Sequence, residues 1–359
     1  MSKLAKVITI ILVVSVAGLI IFKLLLPKND PEIVQQGINS QNQGGPMEEP
    51  NPLSIEYMRV QEYPGSDIVI EQTLPDGSNY SRYIASYKSD GLKIYALLTV
   101  PKGDPSASSG QVMPESGWPV IIFNHGYIPP EQYRTTEKYI AYTDAFSRNG
   151  YILFRPDYRG HGNSEGNPTG AYYSPAYTID VLNALASIQK YPEADPSRIG
   201  VWGHSMGGSI TLRSMVVSKQ IKAGVIWAGV VASYQDMATN WHRSRPWMPS
   251  QKEQDVPTYH RPGRQSLIDK YGDYSANSQF WNSIAPISYV ADISGPVQIH
   301  HGTADEEVPL LFSQRLDEAL QKANKFVEFY TYESDNHNLS NNLSVALQRS
   351  IEFFDKYLK

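Results

Sequence analysis

The pentapeptide Gly203-His204-Ser205-Met206-Gly207 constrains this chain more than any other stretch. The apolar run Ile199-Gly200-Val201-Trp202 leads into it, and residues 208–218, compatible with a helix, follow. Strand, Gly-x-Ser-x-Gly and helix, in that order, put the serine on a sharp turn that lifts its hydroxyl clear of a sheet. A side chain at either flanking glycine would collide with the neighbouring strand or helix. Gly208 extends the small-residue run and lets the helix pack close to the sheet. The helix N-terminus then aims free N–H groups and a positive dipole end at whatever meets the serine. Alone, the pattern equally describes an ordinary glycine-rich turn, so the rest of the chain has to decide.

The surrounding pattern alternates strands with helices. Residues 83–87 and 92–100 read as an antiparallel hairpin joined at Ser89-Asp90-Gly91. Residues 119–124 form a continuous apolar strand, as expected in a sheet covered on both faces. A helix is predicted over 131–148, with Gly150 as its stop, then a strand over 151–155. Ser174 and Pro175 read as N-cap and first residue of a helix carrying Val181, Leu185 and Ile188 on one face. Further strands are predicted over 221–228, 297–301 and 327–332, and helices over 310–323 and from Leu343 to Leu358. The fold class is therefore α/β, with a mostly parallel central sheet and helices on both faces.

Residues 234–287 break the rhythm with Trp241, Trp247, Trp281 and several prolines. A long irregular segment inside a compact domain is usually a lid or an insertion, and this one should follow a strand ending beside Ser205. It is expected to form a cap over the site.

The N-terminus has a different character. Residues 7–22 are apolar and uncharged, Lys23 interrupts, and 24–26 continue the run. That length is about what a bilayer crossing needs, roughly 20 residues. Ser15-Val16-Ala17 has the small-x-small form of a cleavage site but lies inside the run, so residues 1–26 read as an uncleaved, single-pass transmembrane signal anchor. Lys3 and Lys6 favour a cytoplasmic N-terminus and an extracytoplasmic domain. Residues 27–52, rich in Pro, Gly, Gln and Asn, read as a flexible linker, and residues 53–359 as the catalytic domain.

A serine hydroxyl is a weak nucleophile near neutral pH. It needs a base within hydrogen-bond reach, and the base needs an acid to hold its tautomer. Asp305 lies on the loop after the strand that ends His301-Gly302, and His337 lies just past the following strand. Both loops should sit at the carboxyl edge of a parallel sheet, where the serine turn also is. Ser205, Asp305 and His337 are thus the candidate catalytic residues. An N-cap role for Asp305 is disfavoured, because Pro309 as first helical residue would make Val308 the cap. Glu306 and Glu307 read as solvated charges, and Asp335 is badly placed to serve His337 from within one loop. An oxyanion needs two N–H donors. The backbone of Met206 supplies one, and the backbone of Tyr127, in Asn124-His125-Gly126-Tyr127, the other; the Tyr127 hydroxyl could also reach the oxyanion or line the pocket. His125, His204 and His161 read as structural.

Composition closes off other chemistry. Cysteine is absent, which excludes disulfides and thiolate metal sites. His300 and His301 are adjacent on a strand and face opposite ways, so no metal site is expected, and no phosphate-binding loop or other cofactor motif is present. A net charge of −5 gives no footprint for nucleic acid.

Taken together, Asn124-His125-Gly126, Asp157-Tyr158-Arg159-Gly160, Gly203-His204-Ser205-Met206-Gly207-Gly208, His301-Gly302-Thr303-Ala304-Asp305 with Val308-Pro309, and His337 resemble the α/β-hydrolase superfamily. They are most similar to the catalytic domain of the prolyl oligopeptidase group of serine peptidases, peptidase family S9. The resemblance runs from about residue 92 to 359 and implies hydrolysis through an acyl-enzyme. The oligopeptidases carry a large β-propeller before this domain, whereas residues 53–117 are too few for one. A small ester therefore stands beside a peptide as the expected substrate. A competing reading, a non-catalytic binding protein that recognises partners through the aromatic 234–287 segment, leaves the ordered Ser, Asp and His unexplained.

Overall fold

The computed structural model describes residues 50–103, 112–242, 248–257 and 263–359. The anchor expected over 1–26, the linker up to residue 49, and Trp247 lie outside the described residues. Among the described residues no helix is long and apolar enough to cross a membrane.

One sheet of nine strands organises the domain. The strands are β1 Val69–Leu74, β2 Tyr80–Ser89, β3 Leu92–Pro101, β4 Trp118–Asn124, β5 Ile152–Pro156, β6 Ala194–His204, β7 Ala223–Trp227, β8 Val297–Gly302 and β9 Val327–Tyr332. Their spatial order is β1-β2-β3-β5-β4-β6-β7-β8-β9. The first three strands run antiparallel to their neighbours, and all pairings from β5 to β9 are parallel. β2 and β3 form the expected hairpin, with Ser89 opposite Leu92 and the turn made by Asp90 and Gly91, both left-handed at φ 50° and 79°.

The alternation of side chains along β4 explains the two cores. Val120 and Ile122 face one way and pack with Val201, Val181 and Leu185 of α3 Ala176–Ile188, Ile210 and Met215 of α4 Met206–Val217, and Phe312 and Leu316 of α9 Leu310–Lys322. Ile121 and Phe123 face the other way and pack with Trp202, Phe146 of α2 Ile140–Arg148, and Leu347, Ile351 and Phe354 of α10 Leu343–Leu358. Every residue of β4, β5 and β7 is buried, as a sheet covered on both faces requires. Helices on both faces of a mostly parallel sheet make this the α/β layering that the sequence predicts.

The N-terminal part adds α1 Ile55–Val60 and edge strand β1, neither of which the sequence pattern announces. β1 is largely exposed on both faces and so carries no apolar alternation.

The helix predicted over 131–148 begins only at Ile140. The reason lies further along the chain, at Arg155. Its buried guanidinium donates to the carbonyls of Thr135, Glu137 and Lys138, which a helix would need for itself. Lys138 and Tyr139 then take left-handed φ values of 56° and 52°. Smaller shifts occur at two caps. Pro175 and Pro309 are themselves the N-cap residues, one position later than expected, and the Ser174 hydroxyl still accepts the Ala176 N–H at 3.2 Å.

The described residues of the 234–287 segment are more helical than expected. They contain α5 Tyr234–Thr239, α6 Gln251–Gln254, α7 Arg264–Tyr271 and α8 Ser278–Ile284. Tyr234, Leu267, Phe280, Trp281 and Ile284 give the segment a small core of its own. Trp241 donates its indole N–H to the Glu307 carbonyl at 2.7 Å, the Tyr127 hydroxyl donates to Glu253 at 2.7 Å, and the Lys252 ammonium donates to the Gly160 carbonyl at 2.5 Å. All three partners outside the segment lie on loops that follow the carboxyl ends of parallel strands.

Candidate active site

Strand register brings the expected residues to one edge. β4 and β6 are neighbours, with Asn124 opposite Gly203, so the loop of Gly126 and Tyr127 leaves the sheet beside Ser205. β8 and β9 are neighbours, with Gly302 opposite Tyr332, so the loops of Asp305 and His337 leave it together. A Cβ on Gly302 would lie 2.3 Å from the Asp335 carbonyl oxygen, which shows how tightly those two loops meet.

Ser205 has φ 56° and ψ −118°, a conformation that L-residues seldom adopt. Three bonds hold it there. Its N–H donates to the Trp227 carbonyl at 2.9 Å, and its carbonyl accepts the N–H groups of Gly208 at 3.0 Å and Val230 at 3.2 Å. A Cβ on Gly203 would lie 2.3 Å from the Gly207 carbonyl, and one on Gly208 2.7 Å from the Gly229 Cα. The strained turn leaves Ser205 half-buried, and Met206 opens α4, whose first N–H groups have no partner inside the helix.

Asp305 and His337 are hydrogen-bonded, Oδ2 to Nδ1, at 2.8 Å. A carboxylate accepts, so His337 donates to it through the Nδ1 proton. The other partners of Asp305 were not anticipated. His301 Nε2 lies 3.0 Å from the same Oδ2, and the N–H groups of Glu307 and Val308 donate to Oδ1 at 2.8 and 3.0 Å. The last two make Asp305 a local turn cap as well as the partner of His337. Burial raises the Asp305 carboxyl, but the hydrogen bonds from His301 and His337 outweigh it and hold it well below the usual carboxylate range. His301 is itself fully buried and held by the Ser313 hydroxyl at 2.7 Å on Nδ1.

The remaining histidines act on loops. His125 Nδ1 donates to the Gly126 carbonyl at 2.7 Å. That carbonyl shares a peptide plane with the Tyr127 N–H, and in a trans peptide the two point in opposite directions, so His125 aims the donor. His204 packs its ring 4.6 Å from that of His337 and bonds the His337 carbonyl through Nε2 at 3.0 Å. His161 is buried against His125, Tyr133, Tyr158 and Tyr177, a bracing position.

The structure also separates groups. Among the described residues no hydrogen bond joins the Ser205 hydroxyl to the His337 ring; the link between their chain segments runs through His204. Such bonds commonly tighten only with substrate. Glu306 and Glu307 are exposed. Asp335 accepts the N–H groups of Asn336, Asn341 and Asn342 from its own loop. The Tyr127 hydroxyl points to Glu253 rather than toward an oxyanion. Among the described residues no group of three or more His, Asp or Glu is arranged to hold a metal ion.

A strained serine beside a helix N-terminus, an imidazole held by a carboxylate, and an aimed backbone N–H can together attack an acyl carbon and stabilise the resulting oxyanion. Comparison with known proteins agrees with that chemistry. A sequence model of the prolyl oligopeptidase family matches residues 138–359. An uncharacterized peptidase of Bacillus subtilis (strain 168), YtmA, is 26% identical over 272 residues, covering 75% of this chain and 91% of the relative. Among solved structures, the acylaminoacyl peptidase of Pyrococcus horikoshii is similar with a TM-score of 0.58 and 21% identity, over 79% of this chain and 43% of that one. An acetyl xylan esterase from Paenibacillus sp. R4 is similar with a TM-score of 0.60 and 17% identity, over 85% of this chain and 92% of that one. At these identities the two solved structures speak for the shared fold. The chain spans less than half of the Pyrococcus peptidase, and its described residues hold no β-propeller.

Proposed function

The chain belongs to the prolyl oligopeptidase family and is a serine hydrolase, and on that premise we propose that Ser205, His337 and Asp305 carry its reaction. Ser205 Oγ attacks the acyl carbon as His337 Nε2 takes its proton. Asp305 keeps the Nδ1 proton in place and stabilises the imidazolium. The N–H groups of Tyr127 and Met206 receive the oxyanion. His337 then protonates the leaving amine or alcohol, and water, activated by the same imidazole, releases the acyl group and restores Ser205. The observation that carries this reading is the 2.8 Å bond between His337 and Asp305, at the sheet edge where Ser205 sits strained. Full-length protein and Ser205→Ala, assayed on short acyl p-nitrophenyl esters and on peptide amides, test it. Activity that survives Ser205→Ala refutes it.

The substrate is proposed to be a peptide, following the family. A second reading, a carboxylesterase of small esters, draws on the acetyl xylan esterase, of which this fold covers 92%. Serine-dependent cleavage of amides supports the first; cleavage of esters alone supports the second. Residues 234–287 serve in either case as the cap that shapes the pocket. Residues 1–26 are proposed to anchor the enzyme as a single-pass signal anchor with the catalytic domain extracytoplasmic, which membrane fractionation and protease access to the domain in intact cells would test.

A further inference from the structure

Four residues far apart in the chain, Gly126, Tyr139, His204 and His337, are joined in a single run of hydrogen bonds. The Gly126 N–H donates to the Tyr139 hydroxyl at 2.9 Å. That hydroxyl lies 2.9 Å from His204 Nδ1, and His204 Nε2 lies 3.0 Å from the His337 carbonyl oxygen. With His204 neutral, the carbonyl end dictates every direction along the run. A backbone N–H can only donate and a carbonyl can only accept. His204 must therefore carry its proton on Nε2 and accept on Nδ1, and the Tyr139 hydroxyl must point its hydrogen at His204. One tautomer satisfies every group, and a protonated His204 would leave the Tyr139 hydrogen without its acceptor. Burial first, and then the charge of the neighbouring His337 when protonated, lower the His204 pKa to about 3, in keeping with a neutral ring.

Sterics and backbone say the same. A Cβ on Gly126 would lie 2.8 Å from the Tyr139 oxygen and 3.3 Å from His204 Nδ1, so only glycine lets the hydroxyl this close. Tyr139 and its neighbour Lys138 are both left-handed, an unfavourable pair for residues that are not glycine. That conformation delivers the Tyr139 ring to a slot between Phe123, Tyr142 and His204, at centroid distances of 5.3, 5.4 and 5.8 Å. Strain held in place by surrounding packing is a mark of functional positioning. The ends of the run are also telling. One is the residue before Tyr127, whose N–H is the proposed oxyanion donor; the other is the main chain of the proposed base.

We propose that Tyr139 and His204 are positioning residues that tie the oxyanion loop to the histidine loop, setting the gap between the oxyanion donors and the His337 imidazole. This rests on the reading of Ser205 as nucleophile. The run ends on the backbones of Gly126 and His337 and so acts through the two loops, and its loss should be felt in the chemical step more than in binding.

The test uses the full-length protein and Tyr139→Phe, His204→Phe and the double variant, with hydrolysis of a short acyl p-nitrophenyl ester and labelling by a serine-reactive phosphonate as readouts. Each single variant should lower kcat about tenfold to a hundredfold, with KM within about threefold of wild type, and slow phosphonate labelling in parallel. The double variant should be no slower than the worse single, because either change breaks the same run. Folded single variants with unchanged kcat, or a double variant whose loss is the product of the two, would overturn the proposal. Tyr139→Phe removes one oxygen and decides alone if His204→Phe does not fold. Ser205→Ala separates the two levels: activity retained there refutes the nucleophile, whereas Ser205-dependent activity indifferent to Tyr139→Phe refutes only the positioning role.

Discussion

A Cβ on Gly207 would lie 2.0 Å from the carbonyl oxygen of Asn124. The contact is between backbones, and the carbonyl carbon of Asn124 at 2.6 Å and the carbonyl oxygen of His125 at 2.8 Å leave no direction of escape. The turn that carries Ser205 is thus wedged against the loop that carries Tyr127. Gly207→Ala should destabilise the domain by about 3 kcal/mol and abolish hydrolysis, read by urea unfolding and ester turnover. Gly263 has open space around it and an ordinary φ of −98°, so Gly263→Ala should leave stability within about 0.5 kcal/mol of wild type. Equal losses at the two sites would contradict the steric account.

Asp305 supplies a prediction with a definite sign. Its carboxyl is depressed in the folded state, so the folded protein binds that proton less readily than the unfolded chain. The resulting stability is whole above the unfolded carboxylate value of about 3.9 and is lost as pH falls through the folded value. The gap in unfolding free energy between wild type and Asp305→Asn should be flat from about pH 5 to 8 and narrow below about pH 4. Urea titrations across that range measure it. A gap that widens on acidification would count against the assignment.

Arg155 is the cause of the shortened helix before Ile140. A lysine in its place offers one compact ammonium where the guanidinium reaches three carbonyls. Arg155→Lys should cost about 2 kcal/mol and speed hydrogen exchange through residues 131–139 while leaving β4 and β6 protected. Uniform loss of protection would mean that Arg155 supports the whole fold instead.

The Tyr127 hydroxyl is held by Glu253, 126 residues away in the 234–287 segment. Tyr127→Phe and Glu253→Gln should therefore raise KM several-fold and keep kcat within about threefold, because both loosen the hold of Tyr127 on the 234–287 segment and leave the Tyr127 N–H in place. A fall in kcat of about a hundredfold for Tyr127→Phe alone, with Glu253→Gln unaffected, would return the hydroxyl to the oxyanion.

How much of this was legible depends on how far each residue's partners lie along the chain. The hairpin at Asp90-Gly91, the apolar strand β4 and the turn at Ser205 each obey rules satisfied within a few residues, and periodicity alone exposes them. The helix over 131–148 failed because its first half answers to Arg155 instead of to local propensity. β1 was missed because an edge strand exposed on both faces has no apolar pattern to read.

The histidines mark the boundary most clearly. Order along the chain singled out His337, and its bond to Asp305 spans 32 residues between two adjacent strand-end loops, a meeting that parallel topology makes necessary. Sequence could not say that His301 steadies Asp305, that His125 aims the Tyr127 peptide, or that His204 reaches the His337 carbonyl 133 residues away. An imidazole is the same group at every position. The sequence by itself determined where the strained serine turn and the α/β layering must lie, since backbone conformation and side-chain period are short-range properties. Which ring bonds which loop was decided only by tertiary structure, because hydrogen-bond partners are chosen by neighbours in space.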